Sequence, residues 1–235
     1  RSTPEEQGVS SRRVLMLLDQ LNAEEKLGAE VCLVLRHGHV IAEAQWSPYE
    51  ASLPHEMYSL SKSVTATAIG MLVDEGKLSL EERLADIFPD KMPEDETHPA
   101  HQFRVKHLLT MSTGTHFNEL GSVLGADWER EFLHAGVRFT PGTRFSYNSL
   151  NTYMLAAIIR RRSGQTLSAY LGPRLFEPLG ISAHPWELSP TGIEKGGWGL
   201  NLTAESAAKI GQLYLNRGLW TVNGEPKRLL SEDWV

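Results

Sequence analysis

Among its 235 residues the chain has one cysteine, Cys32. An intrachain disulfide and a cysteine-built zinc site are therefore both excluded. The compartment stays open, because an exported enzyme can do without disulfides. Basic residues are in the minority: 23 Lys and Arg face 29 Asp and Glu, a formal net charge of −6. That balance argues against a nucleic-acid or anionic-membrane surface, since both need clustered Lys and Arg. Long apolar runs are missing too. The longest early strip is Val31-Cys32-Leu33-Val34-Leu35, far short of the ~18 residues of a membrane span. Arg1-Ser2-Thr3-Pro4 leads into no apolar stretch and does not read as a signal peptide. There is no internal repeat, no low-complexity linker, no Gly-x-Ser-x-Gly elbow and no Walker loop. Gly197-Trp198-Gly199 is a lone Gly-x-Gly with no strand before it, and needs no nucleotide.

What remains is an ordinary globular composition, 41% hydrophobic and 22% charged. The length suits one large domain or two interlocked subdomains. Ser10 or Ser11 can cap a first helix with Val14, Leu17, Leu18 and Leu21 as its apolar stripe. After Gly28, Glu30–Arg36 and Val40–Trp46 read as a β-hairpin turning at His37-Gly38-His39. From Ser59 onward helical patterns dominate. Ser79-Leu80-Glu81-Glu82 reads as a capping box, Phe88 to Gln102 as a polar, Pro-rich loop, and Val105–Ser112 as a short helix ending near Gly114. Pro141-Gly142 is a turn. Asn151–Arg162 and Thr203–Asn216 read as helices stopped by Gly164 and Gly218. No later strand is convincing, and a lone hairpin cannot bury its face. Ser231 to Val235 reads as a helix start. The rest of the sheet is thus expected in a C-terminal segment beyond this sequence.

Two stretches have the form Ser-x-x-Lys: Ser59 to Lys62 and Ser206 to Lys209. Lys209 follows Glu205 by four residues, which reads as a surface ion pair, with Ile210, Leu213 and Tyr214 supplying the core side. Lys62 differs. It is the only charged residue from Ser59 to Val73. A helix apolar or small on all faces is normally buried, and a lysine there needs a specific partner. Desolvation makes such a lysine a proton acceptor near neutral pH. Ser59 stands three residues earlier on the same face. At a helix start its backbone N–H can form half of an oxyanion hole. The bland alternative is a capping serine and a lysine that snorkels to the surface.

Phe145-Ser146-Tyr147-Asn148-Ser149 follows the Pro141 turn and precedes the helix of Met154, Leu155, Ile158 and Ile159. Beside a cationic lysine the phenol of Tyr147 would titrate below its usual ~10. It could then take a proton from a serine and return it to a leaving group. Metal is a weaker reading. His98-Pro99-Ala100-His101 sits in a polar loop, and His55-Glu56 lacks the second histidine of the helical zinc motif. No metal and no cofactor are expected.

Ser59-Leu60-Ser61-Lys62, His107-Leu108-Leu109-Thr110-Met111-Ser112-Thr113-Gly114, Pro141 to Ser149, and Gly196-Gly197-Trp198-Gly199-Leu200 before the Thr203 helix stand in that order. Together they resemble the serine β-lactamase and penicillin-binding-protein superfamily. The branch looks like the class C type, which also holds esterases, D-amino-acid peptidases and amide hydrolases. The resemblance runs from about Glu5 to Val235. It implies an α/β plus all-α fold of the β-lactamase/transpeptidase kind, an antiparallel sheet flanked by helices with a helical domain. Residues 1–75 would belong to the α/β part and 76–235 to a mostly helical one, with Ser59 where they meet. It implies an acyl-enzyme on Ser59, with Lys62 and Tyr147 sharing the acid and base roles, and a small ester, amide or β-lactam as substrate. It also implies a periplasmic or secreted location.

Two departures from the pattern stand out. The branch usually has Tyr-x-Asn, whereas here Ser149 is the third residue and Asn148 comes one place early. Ser146-Tyr147-Asn148 also matches Ser-x-Asn in letters, so two registers are open. A serine hydroxyl can still accept from Lys62, but its reach to a substrate amide is shorter. That weakens β-lactam hydrolysis more than ester hydrolysis. The third motif, Lys-Thr-Gly or His-x-Gly on a strand, has no match in the right order. Lys195-Gly196-Gly197 looks like a loop, and His134-Ala135-Gly136 precedes Tyr147. The motif, and with it a second oxyanion N–H, is expected in the C-terminal segment. Loops 88–102 and 116–135 would shape the pocket, with Trp198 lining it or packing. A non-catalytic penicillin-recognising or scaffold protein is the rival reading.

Overall fold

The computed structural model describes residues 1–118, 125–182 and 184–235. In chain order the elements are α1 (Ser11–Ala23), β1 (Val31–Arg36), β2 (His39–Gln45), β3 (His55–Glu56), α2 (Ser61–Asp74), α3 (Leu84–Ile87), α4 (Val105–Leu109), α5 (Trp128–His134), α6 (Ser149–Ser163), α7 (Leu167–Leu171), β4 (Asn201–Leu202), α8 (Ala204–Leu215), β5 (Leu219–Val222) and β6 (Glu225–Arg228). Short 3-10 and π turns join them, including Tyr58–Leu60 directly before α2. The described strands form three separate antiparallel pairs.

Helices α2 and α6 pack against each other at the centre. In α6 every residue from Ser149 to Ile159 is buried, as a helix without a polar face requires. Asn148 Oδ1 accepts from the Leu150 N–H at 2.9 Å and caps its start. Gly164, at φ 69°, returns its N–H to the Arg160 carbonyl and stops it. Arg160, Arg161 and Arg162 fill the last turn and complement the helix dipole. Arg161 also bridges to Asp90 at 2.6 Å. In α2 nine residues are buried. Phe88, Phe103, Phe132, Tyr170 and Phe176 are fully buried in the same core, as is Tyr153 of α6.

The first hairpin forms as expected. His37 (φ 50°) and Gly38 (φ 78°) both turn left-handed, which suits the twist of a two-residue hairpin loop. Strand β1 packs on α8. The stripe of α1 is only partly realised: Val14 is buried, whereas Leu17 is exposed and Leu18 and Leu21 are half-buried.

Four local expectations are corrected. Ser79 does not cap a helix; its Oγ accepts from the Glu81 N–H within a turn, and α3 starts only at Leu84, after Arg83 bridges to Arg104. The helix at Val105 ends at Leu109, because Met111 goes left-handed at φ 50°. Later strands do exist. Asn223 (φ 51°) and Gly224 (φ 85°) turn β5 into β6, an Asn-Gly hairpin signal present in the sequence. Ser231 to Val235 forms a turn rather than a helix, with Trp234 lying over Gly70 of α2.

Candidate active site

The ladder of β3 with β4, extended by the Met57 N–H to the Leu200 carbonyl at 2.7 Å, delivers the chain to the start of α2. There Tyr58 takes φ 42°, a left-handed conformation rare for a bulky residue and typical of constrained functional sites. Ser59 follows in the 3-10 turn and is exposed. Ser61 is fully buried, and its Oγ accepts from the Leu200 N–H at 3.3 Å, tying the helix to the same segment.

The second half of the site comes from the start of α6. The Ser146 N–H donates to the Met111 carbonyl at 2.9 Å, and Asn148 Nδ2 donates to the Phe117 carbonyl at 2.6 Å. Between these two ties Tyr147 projects outward and is 54% exposed. Its Oη lies 2.6 Å from Ser59 Oγ. Half-buried Lys62 donates from Nζ to Ser59 Oγ at 3.1 Å, to Ser149 Oγ at 2.9 Å and to the Gly197 carbonyl at 2.7 Å. Its ammonium also stands 4.9 Å from the centre of the Tyr147 ring. Burial pushes the Tyr147 phenol up. Hydrogen bonding to Lys62 and Ser59, together with the lysine charge, outweighs this and holds the phenol below its ordinary value. A serine hydroxyl, a phenol of lowered pKa and an amine in mutual contact can pass a proton away from the serine and back to a leaving group.

Ser59, Lys62, Tyr147 and Ser149 are thus brought together. Asn148 points elsewhere: its side chain caps α6 and holds the Phe117 backbone. Of these two neighbours, Ser149 is the residue that meets Lys62. Trp198 stacks on Trp128 at 6.2 Å, and Trp128 meets Tyr153 edge-on. These are packing contacts. Of the loops expected to shape a pocket, residues 119–124 lie outside the described residues. Gly197 was missed, because its contribution is a backbone carbonyl; the doubled glycine Gly196-Gly197 was its one signal. The second Ser-x-x-Lys behaves as expected. Thr203 caps α8 through the Ser206 N–H, and Lys209 pairs with Glu205 at 3.2 Å. His98 and His101 use ring nitrogens on the local backbone.

The Beta-lactamase family pattern matches residues 17–213. The 6-aminohexanoate-dimer hydrolase of Paenarthrobacter ureafaciens is 27% identical across 90% of this chain and 57% of its own length. Esterase EstB of Burkholderia gladioli is 28% identical across 72% of this chain and 50% of its own length. The chain therefore spans about half the length of these curated relatives. The octameric penicillin-binding protein homologue from Pyrococcus abyssi superposes with a TM-score of 0.71 over 94% of this chain and 58% of that one, at 20% identity. The fold is thus of the β-lactamase/transpeptidase kind. With the pattern matched over most of its residues, the chain belongs to the beta-lactamase family, within the superfamily of serine β-lactamases and penicillin-binding proteins.

Proposed function

We propose that the protein is a serine hydrolase that cleaves small esters or amides through an acyl-enzyme on Ser59. The observation that carries this reading is the contact of Ser59 Oγ with both Tyr147 Oη, at 2.6 Å, and Lys62 Nζ, at 3.1 Å. Ser59 Oγ attacks the carbonyl carbon while its proton passes to the Tyr147 oxygen. Lys62 holds the negative charge of that phenolate before the transfer and the serine oxygen during it. The carbonyl oxygen becomes an oxyanion facing the Ser59 N–H, which lies in the first turn and has no intrahelical acceptor. When the tetrahedral adduct collapses, the bond to the leaving alcohol or amine breaks and that group takes the proton from Tyr147. Water then attacks the ester on Ser59 and gives a proton to the Tyr147 oxygen; the bond from the acyl carbon to Ser59 Oγ breaks, Oγ takes that proton back, and the acid is released.

Esters are the favoured substrates over β-lactams. Ser149 is buried and its hydroxyl is engaged by Lys62, so it offers little reach toward a substrate amide. In the same reading residues 1–75 and 76–235 are two units that meet at Ser59, and the protein works in the periplasm or outside the cell. No helix among the described residues is long and apolar enough to cross a membrane.

The test is intact mass and peptide mapping after exposure to a fluorophosphonate and, separately, to a penicillin. An adduct on Ser59 that disappears in Lys62→Ala is expected, faster with the phosphonate. A folded protein that forms no adduct with either probe would overturn the proposal in favour of a non-catalytic scaffold.

A further inference from the structure

Lys62 has three N–H protons as an ammonium, and beside the Tyr147 phenol three further oxygens face it. Two belong to side chains, Ser59 and Ser149. The third is the Gly197 carbonyl, the closest of the three at 2.7 Å. A carbonyl can only accept, so the way it points determines which lysine proton is left for Ser59.

Its direction is set by a tight turn. The Gly197 N–H returns to the Lys195 carbonyl at 2.6 Å, closing a three-residue turn around Gly196, which sits at φ 66°. The turn is wedged between α2 and α6. A Cβ on Gly196 would come within 2.9 Å of the Thr152 carbonyl, and one on Gly197 within 2.7 Å of the Ser149 carbonyl. Only glycine fits at either position. A single side chain pins the turn from the α2 side: fully buried Thr65 donates from Oγ1 to the Gly196 carbonyl at 2.9 Å. Thr65 stands three residues after Lys62 on the same face of α2. On the outer side Lys195 pairs with Glu187 at 2.6 Å and lies over the Trp198 ring at 5.2 Å.

We propose that Thr65 is a positioning residue for Lys62, acting through the Lys195–Gly197 turn so that the Gly197 carbonyl takes one ammonium proton and another is aimed at Ser59 Oγ. This rests on the serine-hydrolase reading above. A buried hydroxyl that merely filled space would be replaced by Val without consequence for chemistry. One that aims the lysine would not be, because the Gly196 carbonyl loses the hydrogen bond that Thr65 gives it and the turn shifts.

The experiment compares Thr65→Val and Thr65→Ser in the full-length protein, reading the rate of Ser59 labelling by a fluorophosphonate against pH. Thr65→Val is expected to label roughly tenfold more slowly, the effect of one net hydrogen bond, with little change in probe affinity. Its ascending pH limb should move upward, because Tyr147 loses part of the lysine contact that lowers it. Thr65→Ser, which keeps the donor, should restore both. A folded Thr65→Val with wild-type rate and pH limb overturns the proposal. Should that variant fail to fold, Thr65→Ala, which removes the same donor without adding bulk, is read in the same way. Wild-type labelling with no effect of Thr65→Val removes only this inference, whereas an unlabelled wild type removes the hydrolase reading as well.

Discussion

The chain carries the same four-residue pattern twice, and the two copies have opposite fates. Ser206 and Lys209 lie on α8, where Ser206 helps the N-terminal cap and Lys209 meets Glu205 four residues earlier. Ser59 and Lys62 lie at the start of α2, where among the described residues no carboxylate meets the lysine and the oxygens of Ser59, Ser149 and Gly197 take its protons. The spacing is identical, so spacing is not what makes a lysine useful to a serine. The difference is the helix around it. On α8 one face is solvated and the ion pair is local, of the kind that contributes little. On α2 the helix is enclosed, and a lysine there must be met by groups from α6 and from the Gly197 turn.

The comparison can be broken most sharply at Lys62. Lys62→Ala is expected to slow Ser59 labelling by about 10²- to 10⁴-fold, the range of a positioned proton-transfer group, whereas Lys209→Ala should change it less than about twofold. Rates of fluorophosphonate labelling for the two variants decide this. Tyr147→Phe should cost a similar factor or somewhat less, since Lys62 stays in contact with Ser59, and it should also flatten the ascending pH limb. In the wild type that limb is expected below the ordinary tyrosine range, because contact with Lys62 and Ser59 overcomes burial at the phenol. A Tyr147→Phe protein that keeps an unchanged limb would move the titration to another group.

A smaller effect is expected at Glu129, a second ionisable side chain enclosed by the helices. It is buried on α5, and burial raises its pKa against the attraction of Lys91. Its folded value therefore lies above its unfolded one. The carboxyl is harmless below the unfolded pKa, and stability falls as pH rises through the folded one. Glu129→Gln should remove that loss, stabilising the protein at neutral pH by about 1 kcal/mol and leaving it unchanged at acid pH. Melting temperatures of both proteins across pH check it. Last, Lys209→Ala should lower stability by only about 0.3–0.5 kcal/mol, the range of a helical i,i+4 pair, measurable by denaturant titration and reduced by salt.

Much of this was readable from short-range pattern. The isolation of Lys62 among small and apolar residues, its three-residue spacing from Ser59, the His37-Gly38 turn and the Gly164 stop are local features with a local physical cause. Asn223-Gly224 was equally local, yet its short strands carry too little alternation to stand out. The apparent capping box at Ser79 failed because Arg83 pairs with Arg104, a contact made across the chain. Asn148 and Ser149 illustrate the limit more closely. Neighbouring letters left two registers open, and the choice depended on which side chain turns toward α2 and which closes the end of α6.

The residue order from Ser59 to Val73 already specifies a buried helix with one charge and a serine beside it, since side chains three apart on a helix must share a face. What that charge meets was settled by packing. Ser149 stands 87 positions from Lys62, Tyr147 stands 88 from Ser59, and Gly197 stands 135 from Lys62. Contacts over such separations leave no period in the sequence, and a backbone carbonyl has no letter of its own. They exist because the glycine turn and the start of α6 close around the lysine once the core has formed.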